Sequence, residues 1–258
     1  MRGLAVLVLL VLVCGCGGPS ADAPLVVGME LSYPPFETIT KDGQPEGVSV
    51  EMARALADHL GRPLRIENLP FVGLIPALAS GQLDCVISSM TITEERSRSI
   101  AFSDPYLRTG LGILVGANST ITGAGELDSP DRTIVVKQGT TGEVWARREL
   151  RSAKILAVEK ENAAVLEVIQ GKADAFVYDQ MSIWTNWKKH PEKTKAILKP
   201  LQEEEWGIGL RLGDEKLKQE INEFLRAYRS QGGFERLSDQ FLGEQKKAFA
   251  EQGIPFIF

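Results

Sequence analysis

The sequence predicts an α/β fold of two similar lobes, each a mostly parallel β-sheet flanked by helices. One observation is that apolar strand segments alternate with amphipathic helical segments, which is typical of parallel sheets. Another is a repeated order of helix, glycine, two residues, aspartate and strand, seen in GQLDCVI at 81–87 and in GKADAFV at 171–177. The chain has 258 residues, 43% of them hydrophobic and 24% charged, so it is globular and long enough for one large domain or two small ones.

In the first half of the chain, three strand segments are separated by two helical segments. Residues 48–60 form a helix with one apolar face, which Gly61 ends. The next helix, 73–80, has Pro76 near its start and ends at Gly81. The predicted strands are 25–29, 64–67 and 84–87. This order predicts parallel strands with both faces of the sheet covered.

A related pattern follows in the second half. A strand at 132–137 leads into a polar turn at 138–142, which opens a helix. A later helix ends at Gly171, and the strand after it has Asp179 at its carboxyl end. The predicted elements after the turn are helices at 143–150 and 163–170, a strand at 173–178, a returning strand at 206–212, and helices at 217–230 and 234–242.

The N-terminus has the features of a targeting signal. Arg2 precedes an apolar run at 4–13, which is too short to span a bilayer and suits the hydrophobic region of a signal peptide. The following segment, Val13-Cys14-Gly15-Cys16, resembles a bacterial lipobox in which Cys16 becomes the lipidated N-terminus. Cys14 fits less well because bulky Val13 precedes it. The alternative is an ordinary cleaved signal with incidental cysteines. Residues 1–16 are thus predicted as signal peptide and lipobox, and 17–24 as a flexible tether.

Composition excludes several classes of function. A net charge of −5 without a basic run argues against a nucleic-acid surface. Cys85 is the one cysteine beyond the N-terminal segment, so no disulfide framework is expected within the fold, and Cys85 is predicted to be a small buried hydrophobe. His59 and His190 complete no metal-ligand pattern. Neither a metal nor a cofactor is predicted.

Three small hydroxyl side chains, Ser88, Ser89 and Thr91, follow the strand at 84–87. In open α/β sheets, ligands bind at this carboxyl end. Thr91 and Glu94 have the spacing of a capping box, which predicts a helix start. Arg96 falls in the first turn of that helix, where a cation opposes the helix dipole. A guanidinium beside free hydroxyls and helix amides suits a carboxylate, although Arg96 could also be a solvated surface residue.

With these residues in view, the chain resembles the polar amino-acid family of extracellular solute-binding proteins of ABC transporters, family 3. The resemblance covers the chain from Leu25 to about Leu242 and rests on five motifs in order. These motifs are SYPPFE at 32–37, GLIPAL at 73–78, SSMTITEER at 88–96, FSDPY at 102–106 and QGTT at 138–141. The family implies the type II periplasmic-binding-protein fold, in which two crossover strands join two lobes that trap one amino acid.

The resemblance also implies a division of the chain and a set of binding residues. The first lobe would comprise 25–110, the second 111–205, and 206–258 would return to the first lobe and add C-terminal helices. Arg96 matches the partner of the ligand's α-carboxylate, assisted by Thr91 and by backbone N–H groups near Thr140 and Thr141. Asp179 matches the partner of the α-ammonium group, assisted by Ser89.

Three further positions concern the ligand's side chain. Tyr33 and Phe71 match positions that flank it, although Phe71 could simply pack in the core, and Val72 stands where the family often has aspartate. Glu30 stands where the family often has an acid or a small polar residue. A carboxylate in the pocket favours lysine or arginine before glutamine, whereas Glu30 could equally be a solvated loop charge. Asp179, likewise, could be only a helix N-cap.

The implied function is binding of a free amino acid outside the cytoplasm and its delivery to an ABC permease. The protein is expected to be a monomer, held on a membrane through acylated Cys16, without nucleic acid as a partner. One alternative is an enzyme similar to cyclohexadienyl dehydratase on the same fold. Asp179 argues against it, because an ammonium group needs that anion whereas prephenate-like acids need more cations. Another alternative is a binding domain that feeds a sensor.

Overall fold

The computed structural model describes residues 23–254. The first half has β1 (Leu25–Met29), β2 (Thr38–Ile39), β3 (Pro45–Glu46), α1 (Val48–His59), β4 (Leu64–Asn68), α2 (Phe71–Ala79), β5 (Cys85–Val86), α3 (Glu94–Ser97), β6 (Ala101–Phe102) and β7 (Leu107–Gly116). After a 3₁₀ turn at Ala124–Glu126 come β8 (Thr133–Lys137), α4 (Thr141–Glu149), β9 (Lys154–Val158), α5 (Glu161–Ile169), β10 (Ala175–Asp179), α6 (Gln180–Lys189), β11 (Thr194–Ile197), β12 (Glu203–Trp206), β13 (Gly209–Leu210), α7 (Glu215–Ser230), α8 (Gly233–Phe241) and α9 (Gly243–Glu251). Within 23–254, none of the helices is long and apolar enough to cross a membrane.

The first lobe is built on a five-stranded sheet with the order β4-β1-β5-β13-β6. β1 runs parallel to β4 and β5, which is the strand–helix–strand–helix–strand unit that the sequence predicts. β13 is antiparallel to both of its neighbours. Helix α1 buries Met52 and Leu56 in the same apolar cluster as Val27 of β1, and Leu74 of α2 joins a second cluster with Val86. The sheet is therefore covered on both faces.

The second lobe is built on a sheet with the order β11-β7-β10-β8-β9. β8 is parallel to β9 and β10, whereas β7 is antiparallel to β10 and β11. Val135 and Phe176 belong to one buried cluster, and Ile134 and Val177 to another. Because neighbouring residues of a strand point to opposite faces, this division shows that both faces of the sheet are buried.

Two paired strands connect the lobes. β12 pairs antiparallel with the first part of β7, from Glu203 opposite Gly110 to Trp206 opposite Leu107. β7 then continues into the second sheet, and β12 leads back to β13 in the first. These strands are the two predicted crossover strands. The division predicted at 110/111 and 205/206 falls inside them and stays a prediction.

The C-terminal helices pack beside α1 of the first lobe. The ring of Phe224 on α7 lies 5.6 Å from that of His59 at the end of α1. The rings of Tyr228 on α7 and Phe234 on α8 meet edge to face at 5.2 Å. Both helices lie where the apolar periodicity predicts them, whereas α9 was not predicted.

Other elements differ from prediction. β9, α6 and β11 of the second lobe were not predicted. The strand predicted at 206–212 is two short strands, β12 and β13, which belong to different pairings. Between them lies Gly207, where an added Cβ would come within 2.9 Å of the Ile92 side chain, so a larger residue there would require Ile92 to move. Cys85 is a free, buried thiol, as predicted.

The predicted capping box is wrong. Thr93, not Thr91, is the N-cap of α3, and its hydroxyl accepts a hydrogen bond from the Arg96 backbone N–H at 3.1 Å. Thr91 is engaged elsewhere, because its backbone bridges to Trp206 and its hydroxyl donates to Glu204. The predicted helix is accordingly only four residues long.

Candidate functional site

The carboxyl ends of β1 and β5 in the first lobe face those of β8 and β10 in the second, and a cleft lies between them. All ten residues that the sequence analysis selected line this cleft, namely Glu30, Tyr33, Phe71, Ser88, Ser89, Thr91, Arg96, Thr140, Thr141 and Asp179. Five more that it did not select also line it, namely Glu37, Lys137, Tyr178, Glu204 and Trp206. Cys16, the predicted lipidation site, lies outside the described residues.

Arg96 faces the cleft, and its guanidinium is held from both lobes. Nη1 donates to the Thr91 carbonyl at 2.8 Å within the first lobe, and Nη2 donates to the Gly139 carbonyl at 3.1 Å in the second. The guanidinium also lies 5.3 Å from the centre of the Phe71 ring. Burial lowers the pKa of Arg96 from its ordinary value, whereas Glu204 opposes that shift. The side chain is therefore not a freely solvated surface arginine, and its planar fork could bind a carboxylate.

Asp179 ends β10 and caps α6, and it also faces the cleft. Its Oδ1 accepts from the Met181 backbone N–H at 2.7 Å and from the Tyr33 hydroxyl at 2.6 Å, while Oδ2 accepts from Thr109 at 3.1 Å. Burial is the largest influence and raises the pKa of Asp179 to about 7, whereas these three hydrogen bonds lower it. Asp179 is thus a helix N-cap that also faces the cleft, and its role as the partner of an ammonium group stays a prediction.

Glu30 forms an ion pair across the cleft with Lys137, the last residue of β8. Only 2% of the Lys137 side chain and 13% of the Glu30 side chain are exposed. The Lys137 ammonium lies 5.4 Å from the centre of the Phe71 ring and 5.9 Å from that of Tyr178. The sequence analysis left Glu30 as either a carboxylate in the pocket or a solvated loop charge. Glu30 lines the cleft, and its buried ion pair excludes the solvated loop charge, whereas the pairing with Lys137 was not predicted.

Lys137 carried a signal that could have revealed it. It ends the otherwise apolar run TIVVK, whose other residues lie within a predicted buried strand. A lysine at the carboxyl end of such a strand lies at the ligand-binding edge of the sheet. Because fully buried lysines are rare unless paired, this position could also have indicated an acidic partner.

Aromatic rings form one wall of the cleft. The Tyr33 ring stacks on Phe36 at 5.5 Å and meets Trp206 edge to face at 6.1 Å. The ring of Tyr178 lies perpendicular to that of Tyr33 at 6.0 Å. These contacts fix Tyr33 so that its hydroxyl reaches Asp179. Phe71 places its face toward the two cations of the cleft rather than only packing in the core.

The hydroxyl groups of the cleft bind protein carboxyl groups as well as backbone. Ser88 and Ser89 donate to Glu37, at 3.4 and 3.1 Å, and Ser88 accepts from the Glu30 backbone N–H at 2.9 Å. Thr91 donates to Glu204 at 2.9 Å. Ser89 has a positive φ of 47°, which turns the chain after β5 toward the cleft.

The loop before α4 completes the second-lobe side. Thr140 donates to the Lys137 carbonyl at 2.7 Å, and α4 begins at Thr141. The first backbone N–H groups of a helix have no intrahelical partner, so this end could assist an anion bound by Arg96.

Glu37 and Glu204 are buried carboxyl groups that sequence reasoning missed. Glu204 lies on the connecting strand β12 and is 5% exposed. Burial raises the pKa of Glu204, whereas the hydroxyls of Thr141 and Thr91 and the charge of Arg96 lower it. Its neighbours Glu203 and Glu205 are also acids, and a run of acids usually indicates a solvated surface. The sequence therefore contains no sign that Glu204 is buried.

Together these groups supply a cation on one lobe and an anion on the other. Arg96 can bind an α-carboxylate, and Asp179 can bind an α-ammonium group. A zwitterion held by both would bridge the lobes, and this is the chemistry that a free amino acid requires.

Comparison with known proteins gives the same class. Residues 25–244 match the bacterial extracellular solute-binding proteins, family 3. The chain is 30% identical over 231 residues to the L-arginine-binding protein of Pseudomonas aeruginosa, covering 86% of this chain and 89% of that protein.

Solved structures agree in fold. A mutant of the arginine-binding protein ArgBP from T. maritima has a TM-score of 0.81 and 34% identity, covering 86% of this chain and 96% of that one. A lysine complex of a putative ABC transporter binding component from Wolinella succinogenes also has a TM-score of 0.81, with 32% identity, covering 85% and 95%. The fold is thus that of type II periplasmic binding proteins. Because the family match spans residues 25–244, the chain belongs to the bacterial extracellular solute-binding proteins, family 3.

Proposed function

We propose that this protein captures a free amino acid outside the cytoplasm and delivers it to an ABC permease. The observation that carries the proposal is the position of Arg96 and Asp179 in one cleft, one from each lobe. The ligand's α-carboxylate binds Arg96 with the start of α4, and its α-ammonium binds Asp179 with the hydroxyl of Ser89. The family to which the chain belongs supports this assignment.

The action is a change of conformation rather than a chemical reaction. A ligand that contacts both lobes binds the closed arrangement more tightly than an open one, so it shifts the equilibrium toward closure by that difference in affinity. The closed protein then presents both lobes together to the permease. We propose that it acts as a monomer. We also propose that it is a binding protein rather than an enzyme, because Asp179 supplies the anion that an ammonium ligand needs.

The charges of the cleft favour a ligand with a basic side chain. Four carboxyl groups line it, those of Glu30, Glu37, Asp179 and Glu204, against the two cations Arg96 and Lys137. The α-groups of a zwitterion cancel each other, so the ligand's side chain meets a cleft with more carboxyl groups than cations. Lysine or arginine is therefore favoured, glutamine or histidine is weaker, and glutamate or aspartate is rejected, because a like charge in a desolvated site costs several kcal/mol.

We also propose that Cys16 is acylated and holds the protein on a membrane, outside the cytoplasm. The segment from 17 to 24 would then tether the lobes to the bilayer. This proposal is supported by the sequence of Val13-Cys14-Gly15-Cys16 after a short apolar run.

A thermal-shift screen of residues 17–258 against the common amino acids, at equal concentrations, tests the proposed ligand class. Arginine and lysine should raise the melting temperature most, since a ligand that binds only the folded state stabilises it. Glutamate and aspartate should give no shift. A screen in which no amino acid stabilises the protein would contradict the proposed function, and one in which glutamate stabilises it most would contradict the basic side chain.

A further inference from the structure

Glu37 is the most enclosed acidic group of the cleft. It follows Phe36 in the loop after β1 and is 1% exposed. Its backbone pairs with that of Tyr33 through hydrogen bonds of 2.8 and 3.0 Å in both directions, which fixes the loop. The side chain reaches the same cleft as Arg96 and Asp179. The carboxyl group is thus placed rigidly at the site.

The side-chain partners of Glu37 within residues 23–254 are all serine hydroxyls. Oε2 accepts from Ser49 at the start of α1 at 2.6 Å and from Ser89 at 3.1 Å. Oε1 accepts only the long contact from Ser88, at 3.4 Å. One oxygen is therefore strongly bound while the other is nearly free. A buried carboxylate held by neutral groups alone is unfavourable, so the group retains a proton unless a cation arrives.

Glu30, in contrast, is already neutralised by Lys137. A ligand with a positively charged side chain would therefore find the Glu30 carboxylate already paired with Lys137. Burying a further cation there requires a further anion, because an unpaired buried charge is strongly unfavourable. Glu37 lies close enough to Lys137 and Glu30 to interact electrostatically with both.

We propose that Glu37 is a further ligand-binding residue, which releases its proton to solvent and binds the cationic end of the ligand's side chain. The ligand cation replaces that proton, so the charge of the closed cleft stays balanced. This inference rests on the proposed function and names the group that selects a basic over a neutral side chain. A neutral ligand leaves the Glu37 proton in place.

The electrostatics of the site agree with this role. Burial raises the pKa of Glu37 to about 8, while hydrogen bonds from Ser49 and Ser89 and the charge of Lys137 lower it and that of Glu30 raises it. Burial raises the pKa of Tyr106 and of Tyr178, and the charge of Glu37 raises both further. Near pH 7.5 the carboxyl group is thus mostly protonated and can be ionised by a nearby cation.

The test is a count of protons released on binding arginine and citrulline, which have nearly the same shape but differ in charge. Isothermal titration calorimetry at pH 7.5 in phosphate, HEPES and Tris gives the proton count from the dependence of binding enthalpy on buffer. Any release from Asp179 is common to both ligands and cancels. Arginine should release about three quarters of a proton more than citrulline, the protonated fraction expected half a unit below the Glu37 pKa.

Two variants assign the proton to Glu37. Glu37→Gln should abolish the difference in proton release between arginine and citrulline. It should also lower the affinity for arginine at least tenfold more than the affinity for citrulline. Glu46→Gln, an exposed acid on β3, is the matched control and should keep the wild-type difference. If Glu37→Gln fails to fold, Ser49→Ala replaces it. Loss of that hydroxyl raises the Glu37 pKa, so the difference in proton release at pH 8.5 should increase.

Equal proton release for arginine and citrulline in the wild type would overturn the inference. So would a difference that persists in Glu37→Gln, or one that Ser49→Ala leaves unchanged. Failure of the proposed function looks different, because then neither ligand would give binding heat or a thermal shift. The two failures are therefore separable in one set of titrations.

Discussion

The hydroxyl of Tyr33 donates a hydrogen bond of 2.6 Å to Oδ1 of Asp179 and so joins the two lobes across the cleft. Both side chains are buried, at 4% and 6% exposure. The bond lowers the pKa of Asp179 against the larger upward effect of burial. Tyr33 thus favours the ionised carboxylate that an ammonium group requires, in addition to forming a wall of the cleft.

Tyr33→Phe should weaken amino-acid binding at pH 7 by roughly tenfold or more, because a hydrogen bond to a charged group contributes about 1.5–3 kcal/mol. The loss should shrink as the pH is raised from 7 to 9, since Asp179 then ionises without help. Titration calorimetry at several pH values measures both effects. Tyr228→Phe on α7, away from the cleft, is the control. A loss that does not change with pH would show that Tyr33 acts only through packing.

Glu30→Gln and Lys137→Met should change selectivity in opposite directions. Glu30→Gln leaves Lys137 unpaired beside the ligand, so arginine and lysine should lose far more affinity than glutamine. Lys137→Met frees Glu30 for the ligand, and the preference for arginine over glutamine should increase by tenfold or more, since truncating one partner of a buried pair changes binding by about 2–5 kcal/mol. Competition titrations with arginine, lysine, glutamine, glutamate and leucine measure both. If either variant changes all affinities equally, the pair does not set selectivity.

The free protein should become less stable as the pH rises from about 4 to 8. Burial raises the pKa of Glu37 from 4.5 to about 8 and that of Asp179 from 3.8 to about 7. In this range the folded state holds protons that the unfolded state has lost, so the free energy of unfolding falls with pH. Melting temperatures at pH 5.5 and 8.5 test this. Glu37→Gln should flatten the dependence, whereas Glu46→Gln should not. A melting temperature that rises over this range would contradict the assignment.

The lobes, the strand ends and the hydroxyls after β5 could be predicted because their signals are local, whereas the resemblance to the family supplied most of the other selected residues. Glycines, apolar periodicity and hydroxyls after a strand are read within a few residues of sequence. Lys137 could not be paired with Glu30 in this way, because 107 positions separate them and their contact depends on how the lobes meet. The cap of α3 was misplaced because Thr91 is used by β12, which lies far along the chain.

The buried acids were missed for a related reason. In a sequence, an acid in a loop or a run of acids reads as solvated surface, and this is the usual outcome. Glu37 is buried beside serines that come from distant parts of the chain, Ser49 on α1 and Ser89 after β5. Long-range packing therefore determines which acids are buried at the cleft.

Cys16→Ala should release the protein from the membrane when the full chain is expressed in a bacterium. The wild type should enter the detergent phase on phase separation, because an acyl anchor adds about 0.8 kcal/mol per buried methylene group. Cys14→Ala is the matched control and should still enter the detergent phase. Membrane association that survives Cys16→Ala would exclude this cysteine as the anchor.

Calorimetric titration of the most stabilising amino acid into the wild type and Arg96→Ala tests the central claim most directly, that a zwitterion is held between the lobes. Arg98→Ala, an exposed arginine two residues away, is the control, and circular dichroism checks that all three proteins fold. Loss of the carboxylate partner should cost about 2–5 kcal/mol, or roughly 30- to 4,000-fold in affinity, with Arg98→Ala unchanged. A change of less than about fivefold for a folded Arg96→Ala would contradict the account, since a buried charged partner contributes more than that.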